Sequence, residues 1–399
     1  MMLSNPMARR PRYVPDRQPG TTMDEMTRRE RLLAVLQGKP TDRVPVLTGH
    51  FNEWANDWKA REPSYRNLVR FCRERCDGIL SWGPRAVNET APGTSSAAAR
   101  LDQRTSSLPD GGTERTDILH MQRGTLTRRT RQVPGAATAW QVEHYLKTIG
   151  DIEMLLSVPE EPIRFDASGF DQADRAMGDA GLVLGETPDA LCVAAEMFDF
   201  GTYTIMAMTE TELFTQLLER FHRRVMDRLD AMLAAGPVRW IRIFGPEYAS
   251  PPFLPPELFD RYVVPYVGKM ISRIHEAGTY ARIHCHGRVR DILPKLVAMG
   301  ADATDPVEPP PDGDVTLAEA KEIVGGRLAI FGNLELKDLE TLSRDEVVAL
   351  TRRTLDEGMP GGRFALQPTA EPITVPLNPK LEENWMAYID TALEHGRYL

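Results

Sequence analysis

Short apolar runs recur along this chain at intervals that leave room for a helix between most of them. This recurrence restricts the fold more than any other feature. The runs cover residues 42–47, 77–82, 181–186, 240–244, 280–284, 301–304, 328–331 and 364–367. Between several of them the apolar residues follow a helical period. In 211–233, Leu213, Leu217, Leu218, Phe221, Val225 and Leu229 form one stripe. A second pattern, 256–278, should be kinked at Pro265, and shorter ones cover 317–324 and 344–357. Upstream, Thr27 and Glu30 form a T-x-x-E capping box for a helix over 31–37, stopped by Gly38 and Pro40. Strands alternating with helices imply a parallel sheet, and eight such units imply a closed α/β barrel, the (β/α)8 or TIM fold. The alternative, an open doubly wound sheet, usually carries a glycine-rich phosphate loop after its first strand. Here that position reads Thr48-Gly49-His50-Phe51, which is no such loop.

One stretch breaks the alternation. Residues 112–142 contain extended patterns over 116–121, 124–133 and 138–142, separated by Gly124 and Pro134-Gly135, which predicts an antiparallel hairpin insertion near the barrel mouth. The Ser- and Ala-rich patch 94–100 reads as a loop. Residues 1–23, with four arginines and four prolines and no apolar core, read as a flexible basic tail ahead of a barrel over 24–399.

Composition narrows the function. Of the 399 residues, 42% are hydrophobic and 26% charged, which is ordinary for a globular protein. No apolar run approaches the roughly 18 residues of a membrane span. Four cysteines exclude a disulfide scaffold and suit the reducing cytoplasm. A net charge of -9 speaks against nucleic acid as a partner, since such binding needs a basic face.

In a barrel of this kind the reaction takes place at the carboxyl ends of the strands. The strongest local pattern there is Arg282-Ile283-His284-Cys285-His286-Gly287. Side chains alternate along a strand, so His284 and His286 point to one side and Cys285 to the other. H-x-H on a strand is a metal-ligand spacing, because two neutral imidazoles can reach one ion. Two histidines need a carboxylate beside them, and Glu247 in Gly245-Pro246-Glu247-Tyr248 is the best placed. His284, His286 and Glu247 are therefore the expected catalytic and metal-binding set. The alternative is that the histidines bind substrate or backbone without a metal. His50, Trp82, Asp305, Glu308, Asn333 and Gln367 end other strands and are expected to bind substrate. Three prolines after Glu308 should hold it stiffly at the rim.

These motifs, in this order, resemble the uroporphyrinogen decarboxylase superfamily. Thr27-Arg28-Arg29-Glu30-Arg31-Leu32-Leu33 followed by 38–46 is similar to its opening, and Pro256-Glu257-Leu258-Phe259 with Pro265-Tyr266 to its S-P-E-x-F…P-Y segment. Residues 280–287 resemble its strand ending in H-x-C-G, Gly332-Asn333-Leu334 its G-N motif, and Glu382-Glu383-Asn384 its closing helix start. The resemblance spans about 27–394 and itself implies a (β/α)8 barrel. It also implies one of two chemistries. The decarboxylase branch carries R-Q-A-G-R-Y after the first strand to handle tetrapyrrole carboxylates; here that stretch is Leu47-Thr48-Gly49-His50-Phe51-Asn52-Glu53, without those cations. The methyltransferase branch usually binds zinc through the His and Cys of H-x-C and a later Cys. The corresponding residues are His284, His286 and Ala370, so both thiolates are gone. The resemblance thus implies an enzyme nearer the methyltransferase branch. Its reaction would move a methyl group from a small methoxylated or methylated substrate to a corrinoid protein, with Zn2+ or another divalent ion. The alternatives are a cofactor-independent decarboxylase of a small or tetrapyrrole acid and a non-catalytic corrinoid or tetrapyrrole binder. A homodimer is consistent with such barrels.

Overall fold

The computed structural model describes residues 25–398, so the expected basic tail lies outside the described residues. Seven parallel strands form one curled sheet. In chain order these are β1 (Gly78–Trp82), β6 (Gly181–Pro188), β7 (Trp240–Phe244), β8 (Tyr280–Cys285), β9 (Ala303–Pro306), β10 (Ala329–Leu334) and β11 (Phe364–Pro368). The strands β2 (Ala99–Ser107), β3 (Thr113–Met121), β4 (Gly124–Gln132) and β5 (Trp140–Glu143) make a separate antiparallel sheet in that order.

The eighth expected strand closes the barrel. Val46 bridges Leu366 in parallel. The Leu47 amide donates to the Leu366 carbonyl at 2.9 Å and the Leu366 amide to the Pro45 carbonyl at 2.9 Å. On the other side the Asp77 amide donates to the Val46 carbonyl at 2.8 Å. All eight expected runs therefore take their places around the barrel.

The strands bury both faces, as parallel sheets do. Inside, Leu47, Ile79, Leu182, Leu184, Trp240, Ala303, Ala329, Phe331 and Ala365 pack together, and Leu32, Val35 and Leu36 of the helix Arg28–Gln37 join that cluster. This helix has the expected capping box, with Thr27 and Glu30 each bonding the other's backbone. Outside, a larger cluster packs the alternate residues against the helices. The helix Thr211–Ala234 buries Leu217, Leu218, Phe221, Val225 and Leu229 of its predicted stripe. The pattern 256–278 is two helices, Pro256–Tyr262 and Val264–Glu276, interrupted at Val263 beside the proline that cannot donate.

Buried charge ties the first two strands together. Asp77, 1% exposed, accepts from Arg31 Nη1 at 2.6 Å, Arg43 Nη1 at 2.7 Å and the Val46 amide at 2.8 Å. Arg31 keeps a second carboxylate, Asp42, at 2.6 Å. Replacing Asp77 by Ala is expected to cost about 2 kcal/mol in urea unfolding, since Arg43 and the Val46 amide lose their buried acceptor. A loss below a few tenths of a kcal/mol would show that the network is energetically idle.

The insertion is larger than the sequence indicated. Its first strand, β2, begins in the patch expected to be a loop. That strand is mostly solvent-exposed and polar, so hydrophobic alternation could not reveal it. A cavity of about 540 Å³ is lined by Leu101 and Arg128 of the insertion and by Pro188 and Phe244 at the carboxyl ends of β6 and β7. The insertion therefore flanks the barrel mouth, as expected. Among the described residues no helix is long and apolar enough to cross a membrane.

Candidate active site

The phase of β8 builds the site. Ala281, Ile283 and Cys285 point outward into the helix-packed layer. Arg282 and His284 therefore point inward, and His286 follows just past the strand end. The His284 and His286 rings stand 4.6 Å apart, edge to face at 88°. The expected convergence of these two imidazoles is present. Cys285 is a buried packing residue, in keeping with its phase.

Each imidazole has its own carboxylate. His284 Nδ1 lies 2.7 Å from Asp305 Oδ2, its register partner on β9. His286 Nδ1 lies 2.6 Å from Glu308 Oε1, and the other Glu308 oxygen accepts from the Gly287 amide at 2.7 Å. A carboxylate on Nδ1 fixes the tautomer and leaves Nε2 facing the site. The two imidazoles are shifted in opposite directions. Burial, then the nearby Arg242 charge, hold His284 down to about 3 despite Asp305. His50 is pushed well below its ordinary value by the same two causes. Both are neutral at pH 7. Burial also opposes charge on His286, but the Glu308 hydrogen bond and charge outweigh it and raise its pKa. Burial opposes charge on Glu308 too, yet His286 holds its carboxyl below the usual range. Neighbouring imidazoles with pKa values pushed apart are the arrangement of an acid beside a base or ligand.

The group that could hold a metal ion differs from the expected set. Among the described residues, the His, Cys, Asp or Glu group whose ligand atoms all lie within 4.8 Å of one another is His50, His284 and Asp305. His50 and His284 rings are 5.0 Å apart, and His50 Nε2 is 3.9 Å from Asp305 Oδ2. Glu247 is not in this group. It sits in the turn Pro246–Ala249 and its Oε2 accepts from the Gly245 amide at 2.9 Å, which turns the carboxylate back on its own loop. His286 is engaged by Glu308 instead. Asp305, expected to bind substrate, is the carboxylate that meets the imidazoles.

Of the other expected substrate residues, Glu308 braces His286 from the proline-rich rim. Asn333 and Gln367 point inward on β10 and β11 and are buried. Gln367 Oε1 accepts from Arg282 Nη2 at 3.0 Å, so it positions an arginine. Trp82 is a correction. It shares the outward phase of Leu80 and packs edge to face on Phe170 at 5.0 Å, outside the barrel.

Arginines are what the sequence reading missed. Cross-strand register sets Glu186, Arg242 and Arg282 side by side on β6, β7 and β8, one layer below the histidines. Arg242 Nη1 donates to Glu186 at 2.6 Å. Arg282 Nε donates to Asp305 at 2.5 Å, and its guanidinium lies 4.4 Å from the Phe331 ring centre. The signal was available, since Arg282 is two residues before His284 and shares its face. At the rim, Lys59 bridges Asp57 and Glu371 at 3.2 and 2.8 Å.

Residues 141–377 match the family model described as uroporphyrinogen decarboxylase (URO-D). The uroporphyrinogen decarboxylase of Geobacter sulfurreducens is 25% identical over 245 residues, covering 59% of this chain and 69% of that one. The one from Trichlorobacter lovleyi is 28% identical over 187 residues, covering 46% and 51%. A methyltransferase from Methanosarcina mazei superposes with a TM-score of 0.58 at 17% identity, covering 93% of this chain and 99% of that one. This last likeness concerns the fold. His284, His286, Asp305 and Glu308 lie inside the matched family segment, whereas His50 lies before it. The match takes in more than half of the chain, and the chain belongs to the uroporphyrinogen decarboxylase family.

Proposed function

We propose that the chain is a methyltransferase of this family that moves a methyl group from a small methoxylated substrate to a corrinoid protein. The observation that carries the reading is the pair of imidazoles that meet at the mouth, each held by its own carboxylate. A methyl ether is a poor leaving group unless its oxygen takes up a proton as the bond breaks. His286, protonated and braced by Glu308, delivers that proton from Nε2. The C–O electron pair stays on oxygen and the substrate leaves as an alcohol or phenol; a reduced corrinoid on the partner would supply the electron pair that takes up the methyl group.

His50, His284 and Asp305 fit a divalent metal. Two neutral imidazoles and a carboxylate, with no thiolate, suit zinc or another borderline first-row ion. An ion held there would supply Lewis-acid chemistry to the reaction. A macromolecular acceptor is further supported by exposed apolar side chains on the helix Phe200–Thr209 and by Phe253 against it. Phe200, Ile205, Met208 and Phe253 are 41% to 61% exposed, with Phe200 and Phe253 rings 4.8 Å apart. Such a patch on a protein surface suits a partner.

The test is incubation with methoxylated aromatics and a reduced corrinoid protein, followed by the absorbance of methylcobalamin. His286→Ala is expected to slow formation at least about 100-fold, the size of a lost general acid. No methylcobalamin across a broad panel defeats the reading. Elemental analysis of the parent beside His50→Ala/His284→Ala tests the metal, since equal content in both removes it. The second reading, a carboxy-lyase of a small acid, is favoured by the inward arginines and is recognised by release of carbon dioxide.

A further inference from the structure

We propose that the layer beneath the histidines is a carboxylate subsite with Arg242 as its principal contact, so that the substrate of this barrel is a small carboxylic acid. The inference rests on the barrel mouth being the reaction centre, and it names the substrate class for that centre. The strands themselves bring two arginines inward. Arg242 and Arg282 are register neighbours, 7% and 2% exposed.

Their hydrogen bonding is incomplete in one direction only. Arg242 Nε, Arg282 Nη1 and Gln367 Nε2 are buried without a partner among the described residues. Arg282 and Gln367 are already bonded to each other at 3.0 Å, which groups two of these vacant donors. All three are donors, and two belong to charged groups. A water molecule offers two lone pairs; a carboxylate offers about four across two oxygens and the charge to match. Buried donors of this kind cost free energy unless an acceptor arrives. The local carboxylates do not serve. Asp305 is committed to Arg282 and His284, and Glu186 reaches Arg242 through Nη1 only. Glu186 has a side chain 26% exposed, so it can swing away and yield its place on Arg242. A carboxylate on Arg242 would hold the rest of a small substrate upward, toward His50, His284 and His286.

The probe is acetate, the smallest carboxylate with an organic substituent, against acetamide as its neutral counterpart. Binding is followed through the imidazole resonances of the full chain by NMR. Acetate is expected to shift the His50 and His284 signals saturably and acetamide is not. Arg242→Met should weaken acetate by about 10- to 100-fold, the range of a lost charged hydrogen bond, and Arg242→Lys should retain part of it. Glu186→Gln removes the competing carboxylate and should tighten acetate several-fold, which keeps the test decisive if Arg242→Met does not fold. Equal effects of acetate and acetamide, or acetate binding untouched by both substitutions, overturns the subsite. Acetate binding through Arg242 in a protein that forms no methylcobalamin would retain the subsite and sink only the methyl-transfer reading.

Discussion

Asp305→Ala is expected to destabilise the protein by about 3–5 kcal/mol, the cost of leaving a buried charge without its partner. Asp305 is fully buried and serves two groups, Arg282 Nε at 2.5 Å and His284 Nδ1 at 2.7 Å. Burial opposes its charge, yet Arg282 and His284 together hold its carboxyl well below the ordinary value, so it is an anion at every working pH. Without it, Arg282 remains cationic between the Trp240 and Phe331 rings with no carboxylate at hand. The double variant Arg282→Met/Asp305→Ala should recover most of the loss, because an apolar pair of similar volume replaces a broken ion pair. Urea unfolding measures both. A single variant within 1 kcal/mol of the parent, or a double variant no better than the single, contradicts the account. The same substitution frees the His284 ring to rotate. It also removes one of the three groups that could hold a metal, so any ion bound there should weaken by more than the about 10- to 100-fold that losing a group behind a ligand costs.

Glu53→Gln is expected to do the opposite, and only at alkaline pH. Glu53 is buried beneath the loop that carries His50, and Thr48 Oγ1 donates to its Oε2 at 2.5 Å. Its other oxygen has no partner among the described residues. Burial, set against the Thr48 hydrogen bond, pushes its pKa up to about 7 from 4.5. The folded state therefore binds the proton more tightly than the unfolded chain. Its favourable contribution is complete below about pH 4.5, declines as pH rises, and is gone above about 7. Gln carries no charge at any pH. The variant should match the parent near pH 5, apart from a constant offset, and gain about 3 kcal/mol relative to it by pH 8. Urea midpoints at the two pH values decide this. A difference that does not change with pH means that Glu53 is not the titrating group.

Much of the architecture was legible because local physics repeats. Eight apolar runs and the intervening helical stripes each carry their own period, so the barrel, the capping box at Thr27 and the break near Pro265 follow from short windows of sequence. The alternation in 282–286 was legible for the same reason and correctly put His284 and His286 together. Trp82 was misplaced because a parallel strand is apolar on both faces, and nothing in Gly78–Trp82 tells which face is inward. Ala99–Ser107 was missed because an exposed polar strand has no hydrophobic rhythm.

The chain's own order therefore determined which elements form, in what succession, and that imidazoles would stand at a strand end. Which carboxylate meets which imidazole was decided only by packing. Register between β8 and β9 set Asp305 on His284, a rigid proline-rich rim set Glu308 on His286, and barrel closure brought His50 across to them. Those contacts join residues far apart in sequence. No local period encodes them, since hydrogen-bond partners across a barrel depend on how strands are staggered and closed, a property of the whole ring.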